Sequence, residues 1–305
     1  MDRLKKIIIP FLNKLPYIRT LNKLLRQYEE VTAYPPGHYY SPVPDVKELE
    51  KEKAILFDKK KPEAIDLNEK AQIDLFHKFI LYYKEFPFSA IATEKYRYVI
   101  PEAFFTYTDA LILYSIIRHY QPKQIVEIGS GYSSALMLDV NQYYFEGKQR
   151  LTFIDPDFTR LQKLMKSGDN QNCTLINKRV QETDLKLFSS LSENDLLFID
   201  SSHVSKTGSD LNYLLFTILP LLQKGVIIHF HDIYYPLEYP AKLVLEEHLA
   251  WNEAYLLRAF LMYNSDFEII YFNNYMYEKQ TNLLKENMPE CMKDEGASLY
   301  IRKIK

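Results

Sequence analysis

From residue 124 onward, short, mostly apolar runs alternate with longer stretches of helical periodicity, and this alternation limits the possible folds more than any other feature. The apolar runs fall at Gln124–Ile128, 151–155, 174–176, 196–200 and 226–231. Helical patterns fill 132–145, 158–167, 184–191 and 207–222. A strand with no polar alternation has both faces covered, so strands of this kind separated by helices predict a parallel sheet between two helical layers. A further helix is expected over 101–120, opening on Pro101, where the missing amide costs least. Another is expected over 241–263. Two later strands, Phe267–Phe272 and 298–303, complete the set, the last expected antiparallel at the sheet edge.

Glycine is scarce, with eight in 305 residues, so each one marks a place where the backbone needs room or a special conformation. Gly129 and Gly131 stand one residue apart, directly after the first apolar run, in Val126-Glu-Ile-Gly-Ser-Gly-Tyr-Ser-Ser134. A strand, a tight glycine turn and a helix in that order form the usual ligand-binding element of an open α/β sheet. The next strand closes on an acid, Asp155, suited to accept hydrogen bonds from ribose hydroxyls. A dinucleotide would want a third glycine at position 134, which is Ser134, and its pyrophosphate would be repelled by Glu127. A nucleoside with a sulfonium amino acid carries no phosphate, and Glu127 could attract its ammonium group. S-adenosylmethionine is therefore expected over NAD. A Rossmann oxidoreductase is the remaining enzyme alternative, and a protein that binds S-adenosylmethionine without transferring the methyl group is the non-catalytic one.

Five segments together resemble class I S-adenosylmethionine-dependent methyltransferases: residues 126–134, Phe153-Ile-Asp-Pro156, Leu196-Leu-Phe-Ile-Asp-Ser-Ser-His203, Gly225-Val-Ile-Ile-His-Phe-His-Asp232 and Gly296-Ala-Ser-Leu-Tyr-Ile-Arg302. The resemblance covers about residues 98–305. It implies a Rossmann-like, doubly wound, mostly parallel seven-stranded sheet with an antiparallel last strand. It also implies cofactor contacts from Glu127, Gly129, Ser130, Gly131, Asp155 and Gln181. More narrowly, residues 201–210, 231–236 and 251–257, with the Pro-rich stretch from Tyr34 to Pro44, resemble a bacterial branch of small-molecule or O-methyltransferases.

Strand four ends in Asp200-Ser-Ser-His203, where methyltransferases of nucleobases and amides often carry an (N/D)PPY tetrapeptide. Its absence favours oxygen as the acceptor atom, on a small molecule or a sugar-like glycoconjugate precursor. A hydroxyl must lose its proton, which calls for a base with a pKa near neutral. His231 is the first candidate, with Asp200 beside it and His203 second; His229 is expected to be an interior, hydrogen-bonded histidine. By analogy with catechol-type enzymes, Asp200, His231 and Asp232 stand where a divalent metal would be held, although imidazole suits softer ions than Mg²⁺. Lys206 and Asp210, four apart, are expected to pair. The aromatic segment from Tyr234 to Pro240 is a candidate lid.

Residues 1–95 form an expected helical and extended N-terminal segment, and 96–305 the catalytic domain. The first 28 residues carry seven Lys/Arg against one acid, and Tyr17, Leu21, Leu24, Leu25 and Tyr28 share a helical face. Such a helix suits packing or a membrane surface, so peripheral membrane contact through residues 1–30 is an expectation. A net charge of −2 gives no footprint for a long polyanion, which disfavours nucleic-acid partners. Two cysteines without CxxC spacing suggest a reduced, cytoplasmic setting.

Overall fold

The computed structural model describes residues 12, 15–58, 60–91, 93–102 and 104–305. They fall into two compact units. Part of the basic N-terminal stretch lies outside the described residues.

The smaller unit reaches Leu56 and includes residues 241–250. Helix α1 (Pro16–Val31) leaves Tyr17, Leu21, Leu24 and Leu25 exposed. After it the rings of Tyr34, His38 and Tyr40 cluster, with Tyr34 stacked on His38 at 4.6 Å. Asp45 caps helix α2 (Val46–Lys51) by accepting the Lys47 amide at 2.9 Å. A short α3 (Lys53–Leu56) follows, and residues 242–246, a single wide helical turn, pack on α2. No helix among the described residues is long and apolar enough to cross a membrane.

The larger unit, residues 57–240 and 251–305, holds the sheet. In chain order it comprises α4 (Glu69–Tyr83), α5 (Tyr107–Tyr120), β1 (Gln124–Ile128), α6 (Tyr132–Tyr144), β2 (Arg150–Ile154), α7 (Thr159–Leu164), β3 (Cys173–Ile176), α8 (Lys186–Ser189) and β4 (Leu196–Ile199). Then come α9 (210–221), β5 (Ile227–Phe230), α10 (Glu253–Met262), β6 (Phe267–Phe272), α11 (Asn273–Lys279), α12 (Thr281–Asn287) and β7 (Leu299–Lys303). Among the described residues seven strands form one sheet in the order β3-β2-β1-β4-β5-β7-β6. The first five are parallel, and β7 runs antiparallel to both its neighbours. Every residue of β4 and β5 is buried, His229 of β5 included. Strand order reverses between β1 and β4, so right-handed crossovers leave the two halves toward opposite faces and open a crevice at the carboxyl ends of those two strands.

Four expectations need correction. β7 is inserted between β5 and β6 rather than at the edge, and β6 is the outer strand. Helix α5 begins at Tyr107, not at Pro101. The long helix expected over 241–263 is broken: α10 starts only at Glu253, because the amides of Asn252 and Glu253 both donate to the carbonyl of His203. The division expected at 95/96 falls inside the larger unit, since α4 packs against α5 and β6. Within α9 the backbone widens to a π-turn at Leu214–Ile218 just ahead of Pro220, whose ring and missing N–H prevent a regular turn there.

The segment leading into α5 is pinned by one buried cation. Arg97 donates to Asp139 at 2.7 Å and pairs in bidentate fashion with Asp169, and all three side chains are at most 4% exposed.

Candidate active site

The turn after β1 is built by its own side chains. Glu127 is fully buried, and its two carboxylate oxygens accept the hydroxyls of Ser133 and Ser134 at the start of α6. Ser134 Oγ in turn accepts the Gly131 amide at 3.0 Å. Burial pushes the Glu127 carboxyl up to about 8, against the opposing pull of the two serine hydroxyls. Glu127 therefore holds the glycine turn to the helix, and the direct contact with a ligand ammonium expected from its position is not open to it. Its side chain is fully buried beneath the turn, with no exposed surface for a ligand to reach.

The two glycines serve different ends. Gly129 has φ +82°, and a Cβ there would lie 2.1 Å from the backbone carbonyl oxygen of Asp200. Its lack of a side chain thus lets the β1 turn press against the end of β4. Gly131 is extended, and a Cβ there would meet only the flexible Arg160 side chain, at 3.2 Å. Asp155 accepts the Ser130 amide at 2.8 Å and the Asp157 amide at 2.7 Å, one on each oxygen, leaving further lone pairs on both. Ser130 Oγ is buried without a hydrogen-bond partner. Gln181 donates to the Gly208 carbonyl at 3.1 Å, on the loop after β4.

Beside this turn lies a cavity of about 420 Å³, lined among others by Asp200, His231, Asp232, Tyr234 and Trp251. His203 lies behind it, against Asp200 and Asp232. Nδ1 of His203 bonds Glu253 at 2.8 Å, while Nε2 lies 3.3 Å from Asp200 and 3.5 Å from Asp232. His203 and Asp232 both hold left-handed backbone, with φ +58° and +56°. Such conformations cost of order 1–3 kcal/mol and persist only where surroundings enforce them. For His203 the Ser201 hydroxyl, Glu253 and the two amides of α10 do so. Burial disfavours a charged His203, yet its hydrogen bonds to Asp200 and Glu253 prevail and raise it to about 10. The two carboxylates thus favour a proton on each nitrogen, which disfavours His203 as the base.

His231 is 6% exposed, lies beside Phe105 with ring centroids 5.4 Å apart, and its Nδ1 is buried without a hydrogen-bond partner. Burial lowers its pKa, but the carboxylates of Asp232, Asp200 and Asp109 outweigh that and raise it. His229 is interior as expected, stacked on Phe198 at 3.7 Å and bonded through Nε2 to Ser298 at 2.9 Å. Burial holds it well below its ordinary pKa, in the neutral form.

The metal set expected from spacing is altered. Asp200, His203 and Asp232 bring ligand atoms within 4.8 Å of one another, and His231 is not part of that group. Strand geometry places His231 at the end of β5, whereas the turn after β4 swings His203 back between the two carboxylates. The Lys206–Asp210 pair does not form: Asp210 accepts the amide and hydroxyl of Ser202 instead. The aromatic segment is not a free lid. Tyr235 and Tyr239 are buried, with Tyr239 Oη accepting the Ala254 amide, and only Tyr234 of the three reaches the cavity. Three residues that the sequence did not mark belong to this site. They are Glu253, which orients His203; Asp109 from α5; and Arg160, whose guanidinium lies 4.7 Å from the Phe104 ring. Nothing in a lone chain singles them out, because each acts across the fold.

A parallel sheet reversing at β1/β4, a Gly-x-Gly turn leading into α6 and an acid closing β2 define a class I methyltransferase fold. Residues 126–233 match the family described as a methyltransferase domain. An uncharacterized protein of Archaeoglobus fulgidus is 33% identical over 170 residues, covering 53% of this chain and 75% of that one. Among solved structures, the O-methyltransferase TomG of Streptomyces achromogenes, in complex with S-adenosylmethionine, is 13% identical over 86% of this chain and 97% of its own, with a TM-score of 0.40. The S-adenosylhomocysteine-bound methyltransferase PaMTH1 of Podospora anserina is 16% identical over 87% and 99%, with a TM-score of 0.42. Those scores are too low to carry an argument about activity. The chain belongs to the methyltransferase-domain family, the class I S-adenosylmethionine-dependent methyltransferases.

Proposed function

We propose that this protein transfers the methyl group of S-adenosylmethionine to an oxygen of a small, hydroxyl-bearing acceptor held in the cavity beside the glycine turn. The observation that carries this reading is the contact of Gly129 with the backbone of Asp200, which sets the donor turn against the wall of the acceptor cavity. The residues present suit the donor. The bare backbone at 129–131 leaves room for it, Ser130 Oγ is a buried polar atom without a partner, and Asp155 keeps lone pairs for ribose hydroxyls. When bound, the cofactor supplies a methyl group activated by its positive sulfur. The chain's contribution is alignment and proton removal: in-line displacement depends on holding the acceptor oxygen in place. Asp200 orients the hydroxyl and His231 takes its proton.

Asp200, His203 and Asp232 also suit a divalent cation. Glu253 behind His203 directs Nε2 toward the two carboxylates, as outer carboxylates do in histidine metal sites. Two carboxylates with one imidazole favour a transition metal over Mg²⁺. Such an ion would displace the His203 proton and supply charge that eases loss of the acceptor's proton.

Calorimetry on the purified protein tests the core of this reading. S-adenosylhomocysteine is expected to bind, and Asp155→Ala to weaken that binding at least about tenfold, about 1.4 kcal/mol. Binding of a dinucleotide with none of the methyl donor or its product would refute it. His231→Ala is expected to keep S-adenosylhomocysteine affinity while lowering methyl transfer on the order of 100-fold or more, read as S-adenosylhomocysteine release with a panel of sugars.

A further inference from the structure

The cavity beside the glycine turn is lined by five carboxylates. Asp200 and Asp232 stand at the ends of β4 and β5, while Asp294 and Glu295 come from the loop before β7, and Asp109 from α5. Arg160 also lines the cavity and acts on Asp200, and His203 lies between Asp200 and Asp232, whereas among the described residues no lysine or arginine forms an ion pair with Asp294 or Glu295. Asp109 is fully occupied by hydrogen bonds from Asn273, Ser298 and the Ala297 amide. Asp294 accepts the Gly296 amide on one oxygen only. Glu295 has no hydrogen-bond or ion-pair partner among the described residues. Burial raises both Asp109 and Asp294, and for Asp294 the neighbouring Asp109 carboxylate adds to the rise. His231 lines the same cavity, 94% buried and with its Nδ1 without a hydrogen-bond partner. Tyr234 and Trp251 line it too, and aromatic side chains suit cations and the apolar faces of sugar rings.

We infer that the methyl acceptor carries a protonated amine beside its hydroxyl groups, as an amino sugar or amino alcohol does. Asp294 and Glu295 receive the ammonium, and the reacting hydroxyl faces His231 and Asp200. Anionic acceptors are excluded by the same carboxylates. This deepens the reading of the cavity as the acceptor site and rests on it. It holds whether or not an ion lies between Asp200 and Asp232, because the ammonium is received by Asp294 and Glu295, which are not part of that group.

The test is calorimetric titration of the full-length protein, saturated with S-adenosylhomocysteine, with glucosamine, glucose and glucuronate at neutral pH. These probes share a ring and differ in charge. Glucosamine is expected to bind at least about tenfold more tightly than glucose, with glucuronate weakest and the gap narrowing as salt is added. The double variant Asp294→Asn, Glu295→Gln is expected to bring glucosamine and glucose within about threefold of each other. Unchanged S-adenosylhomocysteine affinity in that variant reports an intact fold. Glucosamine binding no more tightly than glucose, whether both bind or neither does, overturns the inference, as does a preference that survives in the double variant. Absence of S-adenosylhomocysteine binding to the unaltered protein would instead remove the functional reading on which the inference stands.

Discussion

Replacing Glu127 by glutamine substitutes a neutral group of the same shape for an acid that is wholly buried beneath the glycine turn. Burial raises this carboxyl from its ordinary 4.5 to about 8. Between those two pH values the folded protein keeps a proton that the unfolded chain has lost. Its contribution to stability is therefore complete below about pH 4.5 and declines as pH rises toward 8. At about 1.4 kcal/mol for each tenfold change, the decline between about pH 5 and pH 8 is on the order of 3 kcal/mol. Glu127→Gln has no such proton to lose, and its amide can still meet the Ser133 and Ser134 hydroxyls. Urea denaturation at a series of pH values is expected to show similar stability for the two proteins near pH 5. The variant should become progressively more stable than the original toward pH 8. Parallel profiles, differing by a constant, would refute the claim that this carboxyl is held neutral by its surroundings. Calorimetry on the same variant separates positioning from contact: because the Glu127 side chain is fully buried, S-adenosylhomocysteine affinity should change by less than about threefold, about 0.6 kcal/mol.

The two glycines of the turn should respond in opposite ways. Gly129→Ala places a methyl group 2.1 Å from the Asp200 carbonyl at a left-handed backbone position, and a loss on the order of 3 kcal/mol or more is expected in chemical denaturation. Gly131→Ala meets only a movable arginine, so stability should change by less than about 1 kcal/mol while S-adenosylhomocysteine binding weakens. Arg97→Met leaves Asp139 and Asp169 buried without their cation, and unfolding free energy should fall by about 3–5 kcal/mol.

What could be read from the chain alone was what local pattern encodes. Five mostly apolar runs, Gly129 and Gly131 after the first of them, and Asp155 closing the second are facts of spacing, and spacing determines strand, turn and helix. The antiparallel direction of β7 was legible through resemblance, but its place between β5 and β6 depends on which edge is open when the chain returns, and no local pattern carries that. The same division runs through the site. Sequence marked Asp200, His203, His231 and Asp232 as a group at the strand ends, yet only the left-handed turns at His203 and Asp232 decide that His203, not His231, stands between the carboxylates. Glu127 was marked by its charge, but its burial under two serine hydroxyls turned it from a ligand contact into a support for the turn. Asp109, Arg160 and Glu253 reach the site from α5, α7 and α10, and long-range closure of the fold brings them there. Periodicity is a property of neighbours along the chain, whereas protonation state and ligand grouping depend on the dielectric and the charges that distant segments bring, and these exist only once the core has formed.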